Sequence, residues 1–368
     1  MTCARTFPPC STIGVMGGGQ LGRMFAIAAR RMGYRVHTFS PDEDTPTGQL
    51  ADREVAARYD DEAAVRDFAR GVDVLTFEFE NIPAQCIEWA AEHCVVRPAG
   101  RVLHICQHRL REKEFFRKIG LGTASYQAIA SDADIARATA LPGILKTCTE
   151  GYDGKGQMRV ESRNELAAAW HKLGQRECIL EALVDFQCEV SAIVARGLDG
   201  QTRCFPIGLN EHRGGILRTT TVPSGLPAGT VAEAERLGVQ LARSLELTGL
   251  VALEMFVTRD GRVLANEMAP RPHNSGHWTI DACATSQFEQ LVRAICGLPL
   301  GAVDILAPSR MENLIGDEAR DWLRYLADPT ARLHLYGKAR ARPGRKMGHV
   351  TFLETSGVPR TAASRSTR

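Results

Sequence analysis

The sequence predicts an α/β protein that opens with a doubly wound parallel sheet and continues into mixed α+β modules. Over the first hundred residues, short β-branched or apolar runs alternate with helical patterns. A glycine-rich turn, GGGQLG at 17–22, joins the first of these runs to the first helix. Strand, glycine turn, helix and strand in this order are typical of a parallel sheet.

Hydrophobic spacing places the N-terminal elements. After the glycine turn, apolar residues recur at helical intervals at Leu21, Met24, Phe25, Ala28 and Met32. Strands are predicted at Thr12–Met16, Arg35–Phe39, Val72–Phe77 and Cys94–Val96. A charged helix is predicted over Arg109–Ile119, with Gly120 ending it.

The middle of the chain combines strands, glycine turns and longer helices. Strands are predicted over 143–146, 178–183, 189–195, 203–207, 249–257 and 263–267, and helices over 164–173 and 230–246. Residues 197–200, with the sequence GLDG, have the composition of a hairpin turn. Residues 300–355 predict a small mixed module, and the polar, basic tail TAASRSTR is predicted to be disordered.

Composition and charge limit the classes of function. The 368 residues imply roughly two to four domains, and 45 Lys and Arg against 43 Asp and Glu leave a net charge of +2. This balance gives no overall attraction for nucleic acid or an anionic membrane, and no apolar run approaches the ~20 residues that span a bilayer. Eleven scattered Cys without a C-x-x-C pair, and a first segment without an apolar secretion signal, predict reduced thiols in a cytoplasmic protein.

The 17–22 loop admits three interpretations. It fits G-x-G-x-x-G after a strand, and Asp42 lies about 20 residues past Gly22, where dinucleotide-binding proteins carry a ribose-binding acid. A nicotinamide oxidoreductase is therefore one hypothesis, although no hydride-transfer site is evident downstream. The second is that backbone N–H groups at the helix N-terminus contact a phosphate or a substrate. The third is a tight turn without a ligand.

Two further patterns are typical of nucleotide binding. Lys146 ends a strand and precedes GYDGKGQ at 151–157, which allows close backbone approach to phosphates and supplies charge; it is not a Walker A loop, and alone it would be a flexible hairpin. Glu254 and Glu267 lie on two strands joined by one hairpin, with Asn266 beside them. Such oxygen ligands suit magnesium bridging triphosphate oxygens. The alternative is a pair of rim carboxylates bound to Arg or Lys.

Two C-terminal loops predict a clamp for an anionic substrate. RPHNSGHW at 271–278 concentrates Arg, His and Asn directly after the carboxylate strand, and it has too few His, Cys or acidic ligands for a zinc site. The second loop is basic, with Lys338, Arg345 and Lys346 around Pro343-Gly344. It predicts either a grip for a substrate phosphate or a solvated run of charge.

In their order along the chain, these motifs resemble the 5-(carboxyamino)imidazole ribonucleotide synthase family, ATP-grasp enzymes of purine biosynthesis. The resemblance covers about residues 12–355. It is carried by GGGQLGRM (17–24), FEFENIP (77–83), GYDGKGQ (151–157), NEMAPRPHNSGHWT (266–279), TSQFEQ (285–290) and YGKARARPGRKMGHV (336–350). PRPHNSGHWT and PGRKMGHV favour this family over other ATP-grasp ligases, such as a formyl-phosphate-dependent glycinamide ribonucleotide enzyme.

The resemblance implies an ATP-grasp fold in which ATP lies between two antiparallel sheets. The implied domains are a Rossmann-like N-terminal domain (1–105), an ATP-grasp lid subdomain (106–180), a central ATP-grasp domain (181–300), a small C-terminal domain (301–355) and a tail (356–368). ATP and magnesium are the implied cofactors, 5-aminoimidazole ribonucleotide and bicarbonate the other substrates, and a homodimer the implied assembly.

The resemblance also implies roles for individual residues. ATP would be bound by Arg109, Lys146, Gly151, Tyr152, Asp153, Gly154, Lys155, Gly156, Gln157, Glu181, Ala182, Leu183, Val184, Glu189, His212, Asn266 and Glu267. Magnesium would be bound by Glu254 and Glu267. The ribonucleotide would be bound by Gln20, Tyr152, Asp153, Lys155, His273, Asn274, Lys338, Arg345 and Lys346. The implied catalytic residues are Asp153, Lys155 and Arg271.

The implied reaction converts ATP, bicarbonate and 5-aminoimidazole ribonucleotide into the carbamate product, ADP and phosphate. Bicarbonate attacks the γ-phosphoryl group, so magnesium, Lys146 and Arg271 can stabilise charge on the phosphate oxygens. The resulting carboxyphosphate needs a lid that excludes water, and Asp153 can orient the amine or accept its proton. The sequence departs from the family pattern at Cys148 and Glu150, where a basic residue and a Gly or apolar residue are usual.

Overall fold

The N-terminal part of the chain forms the predicted parallel sheet. The structure, a computed structural model, describes residues 5–149, 151 and 156–354. The strands of this sheet are β1 (Thr12–Met16), β2 (Arg35–Ser40), β3 (Arg53–Ala56), β4 (Val74–Phe77) and β5 (Val95–Val96). Helices in this part are α1 (Gln20–Arg31), α2 (Glu62–Arg70), α3 (Ala84–Ala91) and α4 (Gly100–Cys106). Four of these strands were predicted; the short, half-charged β3 was not.

The order of the strands creates a crevice at the sheet's carboxyl edge. All neighbours are parallel, in the order β3-β2-β1-β4-β5. The chain therefore winds in opposite directions from β1 and β4, and loops leaving two such strands diverge to leave room for a ligand. The 17–22 loop follows β1 and Glu78 follows β4, so both lie at this crevice.

A small antiparallel sheet follows. Its strands are β6 (Tyr126–Ile129), β7 (Gly143–Thr147), β8 (Gln157–Val160) and β9 (Cys178–Ala182), in the order β6-β9-β7-β8. The helices of this part are α5 (Arg109–Lys118), α6 (Asp132–Ala136) and α7 (Arg163–Lys172). Strand alternation separates Leu145, which is in the core beneath the sheet, from Lys146 on the opposite face. The sequence predicted β7, β9, α5 and α7 to within a few residues.

A large antiparallel sheet contains the remaining strands. They are β10 (Phe186–Arg196), β11 (Thr202–Cys204), β12 (Gly208–Arg213), β13 (Ile216–Val222), β14 (Gly249–Thr258), β15 (Val263–Ala269), β16 (Ser309–Ile315), β17 (Ala331–Leu335) and β18 (Lys346–Leu353). The path is β15-β14-β10-β12-β13-β16-β18-β17, with β11 beside β10. The helices are α8 (Ala228–Ser244), α9 (Thr279–Ala282), α10 (Gln287–Cys296) and α11 (Trp322–Leu326).

The C-terminal strands extend this same sheet, because β16 pairs with β13. The hairpin turn predicted at 197–200 is confirmed, since Arg196 pairs with Thr202. The sequence pattern predicted a strand over 203–207, but the strand observed there ends at Cys204. Strands β12 and β13 were missed, because their polar His, Arg and Thr side chains mask the apolar alternation.

The register of the large sheet brings the two predicted metal carboxylates together. Glu254 on β14 pairs with Ser191 on one side and with Glu267 on the other. The next pair is Met255 with Ala265, so Asn266 is an extra residue on β15, a β-bulge. Bulges redirect side chains and occur next to active sites. This one brings the neighbouring residues Asn266 and Glu267 to the same cavity.

One hydrophobic core joins the parallel sheet to the large sheet. It includes Ile13 and Val36 from the first sheet, Phe288 and Leu291 from α10, and Ile193 from β10. The crevice of the parallel sheet is thereby held against the ends of β14 and β15. Among the described residues, no helix is both long and apolar enough to cross a membrane.

Candidate active site

A cavity of about 800 Å³ lies where the parallel sheet, the small sheet and the large sheet meet. The predicted site residues that line it are Gln20, Arg109, Lys146, Gly151, Gln157, Glu189, His212, Glu254, Asn266, Glu267, Arg271, His273, Asn274 and Lys346. Other described residues of the prediction lie around it without lining it: Gly156, Glu181, Ala182, Leu183, Val184, Lys338 and Arg345. Tyr152, Asp153, Gly154 and Lys155, like Glu150, lie outside the described residues.

Two lysines meet at Glu181 beside the cavity. Lys113 Nζ lies 2.7 Å from Glu181 Oε1, and Lys146 Nζ bonds Oε2 of the same carboxylate. Burial alone would raise the pKa of Glu181, but Lys146 and Lys113 outweigh it and lower this pKa to about 2. Glu181 is therefore ionised and holds Lys146 on the cavity side of β7. The backbone N–H groups of Ala182 and Leu183 donate hydrogen bonds to the carbonyl oxygens of Ser125 and Pro142, respectively.

Helix α5 contacts three consecutive residues of β15, the strand that carries Glu267. Arg109 Nη1 is 3.0 Å from Glu267 Oε2, and its Nη2 donates to Gly151 O at 3.1 Å. Lys113 Nζ donates to Asn266 O at 2.5 Å. Glu112 Oε1 accepts the backbone N–H of Met268 at 3.0 Å. One face of this helix therefore fixes the bulge residue Asn266 and the two residues that follow it.

Sequence reasoning predicted Arg109 here but missed Glu112 and Lys113, which are 3% and 4% exposed. The available signal was two adjacent charges in a helix whose neighbours Phe115 and Phe116 mark its inner side. Burial and, to a smaller extent, the negative charge of Glu267 raise the pKa of Glu112 to about 8. The positive charges of Lys113 and Arg109 lower this pKa but do not outweigh the burial.

The carboxylate of Glu254 is fixed by a histidine. His273 Nε2 lies 3.0 Å from Glu254 Oε1. Burial opposes ionisation, but His273, followed by His212 and Lys346, lowers the pKa of Glu254 to about 2. A carboxylate has about four lone-pair sites, so one contact with His273 leaves oxygen valence for a cation. Two paired glutamates with an adjacent asparagine amide fit the oxygen ligands that magnesium prefers.

A buried chain of hydrogen bonds orients His273. Its Nδ1 lies 2.8 Å from Ser275 Oγ, which lies 2.7 Å from Ser191 Oγ. Asn210 Nδ2 then donates to Ser191 Oγ at 3.2 Å. The backbone of His273 is fixed as well, because the buried Gln287 amide accepts its N–H and donates to its carbonyl, both at 2.8 Å. This gives TSQFEQ a structural role that the sequence alone did not assign.

His212 and Glu189 form a further pair at the cavity wall. They stand on neighbouring strands β12 and β10, and His212 Nδ1 bonds Glu189 Oε2. Burial would lower the pKa of His212, but the hydrogen bond from Glu189 and the negative charge of Glu254 raise it. The pair therefore presents a carboxyl group and an imidazole, each fixed by the other, to the cavity.

The glycine loop after β1 binds an internal carboxyl group, that of Glu78, whose pKa is raised by burial. The N–H of Gly19 donates to Glu78 Oε1, and the N–H of Gly22 donates to Glu78 Oε2 at 2.7 Å. A Cβ added to Gly19 would lie 2.5 Å from that carboxylate. The N–H groups of Gly19 and Gly22 are thus taken by an internal carboxyl group, which argues against the dinucleotide hypothesis. Gln20 of the same loop lines the cavity, so contact of this loop with a substrate stays a prediction.

The other glutamate of FEFENIP binds Arg271 through two hydrogen bonds. Arg271 Nε and Nη2 donate to Glu80 Oε2 and Oε1 at 2.6 and 3.0 Å. Burial works against both charges, but their attraction raises the pKa of Arg271 and lowers that of Glu80. Arg271 Nη1 donates to Pro272 O at 3.2 Å. The guanidinium thus reaches the cavity in a fixed orientation, with N–H groups left for an anion.

The predicted substrate loops meet at the same end of the cavity. Both amide atoms of Asn274 are buried and have no hydrogen-bond partner among the residues described here. Lys338 Nζ donates to Lys346 O at 2.7 Å and lies 5.6 Å from the centre of the Tyr336 ring. Arg345 Nη1 donates to Arg340 O at 2.8 Å. Lys346 lines the cavity, whereas Lys338 and Arg345 lie outside its lining.

A stack of buried rings joins these two loops. His277 and His349 are fully buried, and their ring centres are 4.9 Å apart. Tyr336 OH lies 2.8 Å from His349 Nδ1, and Gln287 Nε2 lies 3.1 Å from His277 Nδ1. Burial keeps both imidazoles neutral by lowering the pKa of each. GHWT and MGHV, which sequence analysis could only quote as motifs, form one interface here.

Comparison with known proteins identifies the class and then the family. Residues 114–288 match the ATP-grasp domain, 10–107 the ribonucleotide synthetase preATP-grasp domain, and 309–361 the phosphoribosylaminoimidazole carboxylase C-terminal domain. The fold and the site are those of an ATP-grasp enzyme. More narrowly, the chain belongs to the N5-carboxyaminoimidazole ribonucleotide synthase family, as its motifs predicted.

The similarity extends over most of the chain. The chain is 43% identical over 353 residues to the N5-carboxyaminoimidazole ribonucleotide synthase of Bacillus subtilis. The match covers 94% of this chain and 92% of that protein. The chain is also 43% identical to the bifunctional purine synthesis protein purC/E of Dictyostelium discoideum, covering 95% of this chain but spanning 37% of that protein.

Solved structures show the same likeness. An ADP complex of an N5-carboxyaminoimidazole ribonucleotide synthetase has a TM-score of 0.92 at 43% identity, with 95% of this chain and 94% of that chain covered. The Aspergillus clavatus synthase in complex with ADP and 5-aminoimidazole ribonucleotide has a TM-score of 0.88 at 30% identity, with 93% of each chain covered.

Glu112→Gln tests whether this buried carboxyl keeps its proton in the folded protein. Its folded-state pKa of about 8 exceeds the unfolded value of about 4.3, so the folded protein binds more protons between these values. The free energy of unfolding of the wild type should therefore fall as pH rises through this window, by about 1–3 kcal/mol relative to Glu112→Gln. Urea unfolding at pH 5 and pH 8 measures this. Parallel curves would contradict it, and exposed Glu88→Gln is the control.

Lys113→Met tests whether α5 positions the nucleotide site. The change removes the contacts to Glu181 and to Asn266 O, so we expect KM for ATP to rise at least about tenfold, as for a lost charge-assisted contact. KM for the ribonucleotide should change little. Lys113→Arg should restore part of the loss, and exposed Lys118→Met on the same helix is the control. Equal rises in both KM values would indicate general loosening of the structure instead.

Proposed function

We propose that this chain catalyses the reaction for which its family is named, the ATP- and bicarbonate-dependent carboxylation of 5-aminoimidazole ribonucleotide to N5-carboxyaminoimidazole ribonucleotide in purine biosynthesis. The observation that carries the proposal is the 3.0 Å contact between Glu254 and His273. It joins a carboxylate of the nucleotide half directly to the loop of the substrate half. Phosphoryl transfer and carboxylation then take place in one enclosed cavity.

ATP occupies the part of the cavity between the small and large sheets. Lys146 and Arg109 face the phosphates, each already held by a carboxylate, Glu181 and Glu267 respectively. The segment Glu181–Val184 contacts the adenine, and the ribose hydroxyls bind Glu189 beside His212. By the family resemblance, residues 151–157 would cover the phosphates. This arrangement is supported by the fixed orientation of both cations toward one space.

Magnesium is the metal that the carboxylate pair would hold. Glu254 and Glu267 would bind it, with Asn266 beside them at the bulge. When bound, the ion supplies positive charge that stabilises the γ-phosphoryl oxygens. His273 keeps Glu254 ionised and oriented, and Arg109 orients Glu267.

The reaction begins when a bicarbonate oxygen attacks the γ-phosphorus and the bond to the β-phosphate oxygen breaks, which gives carboxyphosphate and ADP. Lys146 and Arg271 face the charge that develops on the phosphoryl oxygens. Carboxyphosphate then breaks down to carbon dioxide and phosphate inside the closed site, where water is excluded. The exocyclic amine attacks carbon dioxide and loses one proton, for which Asp153 is the proposed acceptor. Lys155 would supply positive charge beside the carboxylate that this step forms.

The ribonucleotide occupies the end of the cavity near the parallel sheet. Gln20, His273 and Asn274 surround the imidazole end, together with Tyr152, Asp153 and Lys155. The unpaired amide of Asn274 is the polar group there that a ligand would satisfy. Lys338, Arg345 and Lys346 bind the sugar phosphate. In the Aspergillus clavatus relative, ADP and 5-aminoimidazole ribonucleotide are present together, as this division of the cavity requires.

The assembly and the location follow from the family resemblance. We propose a homodimer in the cytoplasm that acts on small molecules and binds neither nucleic acid nor membrane. The domain division at 105, 180, 300 and 355 belongs to the same proposal. Light scattering of the purified protein tests the dimer: a mass near 40.2 kDa rather than twice that value would refute it.

An assay of ADP release tests the function directly. Purified protein with ATP and magnesium should release ADP rapidly only when bicarbonate and 5-aminoimidazole ribonucleotide are both present. The product should carry label from ¹³C-bicarbonate on the exocyclic nitrogen. Robust turnover with glycinamide ribonucleotide and formate instead would overturn the assignment, as would micromolar NAD(P)H binding without ATP binding.

Lys338→Ala and Arg345→Ala test the phosphate grip. Each change removes positive charge next to the proposed sugar phosphate, so we expect KM for the ribonucleotide to rise about tenfold or more while KM for ATP stays within about twofold. Arg332→Ala, an exposed charge on β17 of the same module, should change neither. Equal rises in both KM values would show that the loop acts only on overall structure.

A further inference from the structure

Three potential metal ligands converge at the outer wall of the nucleotide cavity. His108 immediately precedes α5, Cys148 follows β7, and Glu177 immediately precedes β9. One ligand atom from each residue lies within 4.8 Å of the other two. Cys148 lines the active-site cavity, whereas His108 and Glu177 face a shallow groove on the other side. These three residues are separate from Glu254 and Glu267, the two carboxylates on β14 and β15 that are proposed to bind magnesium.

The backbone holds these three residues in place independently of any ligand. Cys148 N donates to Glu177 O at 3.1 Å, and Arg109 N donates to Cys148 O at 2.9 Å. The sulfur of Cys148 is buried and accepts the N–H of Leu110 in the first turn of α5. The cluster is therefore part of the folded frame and not a chance meeting of mobile side chains.

The polar atoms of the cluster are only partly satisfied by the protein. His108 Nε2 lies 3.0 Å from Glu177 Oε2. His108 Nδ1 is buried and has no hydrogen-bond partner within the described part of the chain. Buried imidazole nitrogens are normally paired, so the ring of His108 has one nitrogen that the protein leaves unsatisfied. One of its two nitrogens lies within 4.8 Å of both the Cys148 thiol and the Glu177 carboxylate.

We propose that His108, Cys148 and Glu177 bind Zn²⁺, with a fourth position open to water. Sulfur, imidazole nitrogen and carboxylate oxygen are the ligands that Zn²⁺ takes, and three protein ligands with one open position form a known type of zinc site. Tetrahedral bonds of about 2.0–2.3 Å bring ligand atoms to roughly 3.5 Å from one another. The side chain of Glu177 is 53% exposed and is free to close the remaining distance.

The donor set separates this site from the magnesium site. Magnesium prefers oxygen ligands, and a thiolate selects a softer ion. Binding follows Zn²⁺ + Cys–SH → Cys–S–Zn⁺ + H⁺, and the released proton goes to solvent through the exposed groove. This gives the buried thiol of Cys148 a definite role.

The bound ion would join three segments that each lead into the nucleotide site. Arg109 follows His108 directly, Lys146 precedes Cys148 by two residues, and β9 runs from Cys178 to Ala182, the start of the segment proposed to contact the adenine. Zinc at this position would fix the base of the 149–157 segment relative to α5. The inference concerns metal binding by the folded chain and does not depend on which ribonucleotide the enzyme uses.

Cobalt provides a spectroscopic probe of the site. The full-length, metal-free protein is titrated with Co²⁺ in the presence of excess Mg²⁺, which fills sites made of oxygen ligands. We expect a saturable 1:1 signal with a near-ultraviolet thiolate-to-cobalt charge-transfer band, which Zn²⁺ then abolishes. Absence of a thiolate band in the wild-type protein overturns the proposal.

Variants identify the ligands. Cys148→Ser should abolish the charge-transfer band, whereas Cys178→Ser, a neighbouring buried thiol, should keep it. Glu177→Gln changes a half-exposed side chain, so the fold is retained, and the affinity for Co²⁺ should fall at least about tenfold, as should that of His108→Gln. Unchanged affinity in both of these variants, or loss of the band only in Glu254→Gln, would refute the site.

Discussion

Two carboxylates on paired strands, Glu254 and Glu267, impose the main constraint on this structure. Carboxylates placed in a cavity that excludes water tend to take up protons, and a protonated pair would not hold a cation. His273 opposes this at Glu254 by lowering the pKa of that carboxyl group. Arg109 holds the carboxylate of Glu267 in place through a 3.0 Å ion pair. Much of the architecture around the cavity serves to hold those two partners in position.

The same principle explains the buried charges farther from the carboxylates. Glu181 holds Lys146, Glu80 holds Arg271, and Glu78 accepts the N–H groups of the first glycine loop. The charges of Lys146 and Arg271 are therefore fixed before any ligand arrives. A preorganised site of this kind stabilises developing phosphoryl charge without reorganising at the moment of reaction. The loop that resembles a dinucleotide site is better understood as a structural anchor for the crevice.

The sequence predicted the parts of the molecule in which a local pattern decides the outcome. Regular strands such as Thr12–Met16 and the glutamates of 249–269 were placed correctly, since alternation and one hairpin determine which residues pair. Contacts between distant segments could not be predicted, because no local pattern encodes them. Glu78 at the glycine loop, Lys113 at the β15 bulge, and the ring contact of His277 with His349 each join residues at least 56 positions apart in the chain. Strands rich in Thr, Arg and His were missed because their alternation is masked.

A crystal structure with Mn²⁺, a non-hydrolysable ATP analogue and 5-aminoimidazole ribonucleotide tests this account most directly. We expect anomalous density for Mn²⁺ between the nucleotide phosphates and the oxygens of Glu254 and Glu267. The sugar phosphate should lie against Lys338, Arg345 and Lys346. Anomalous density elsewhere, with both glutamates turned away from the nucleotide, would contradict the account.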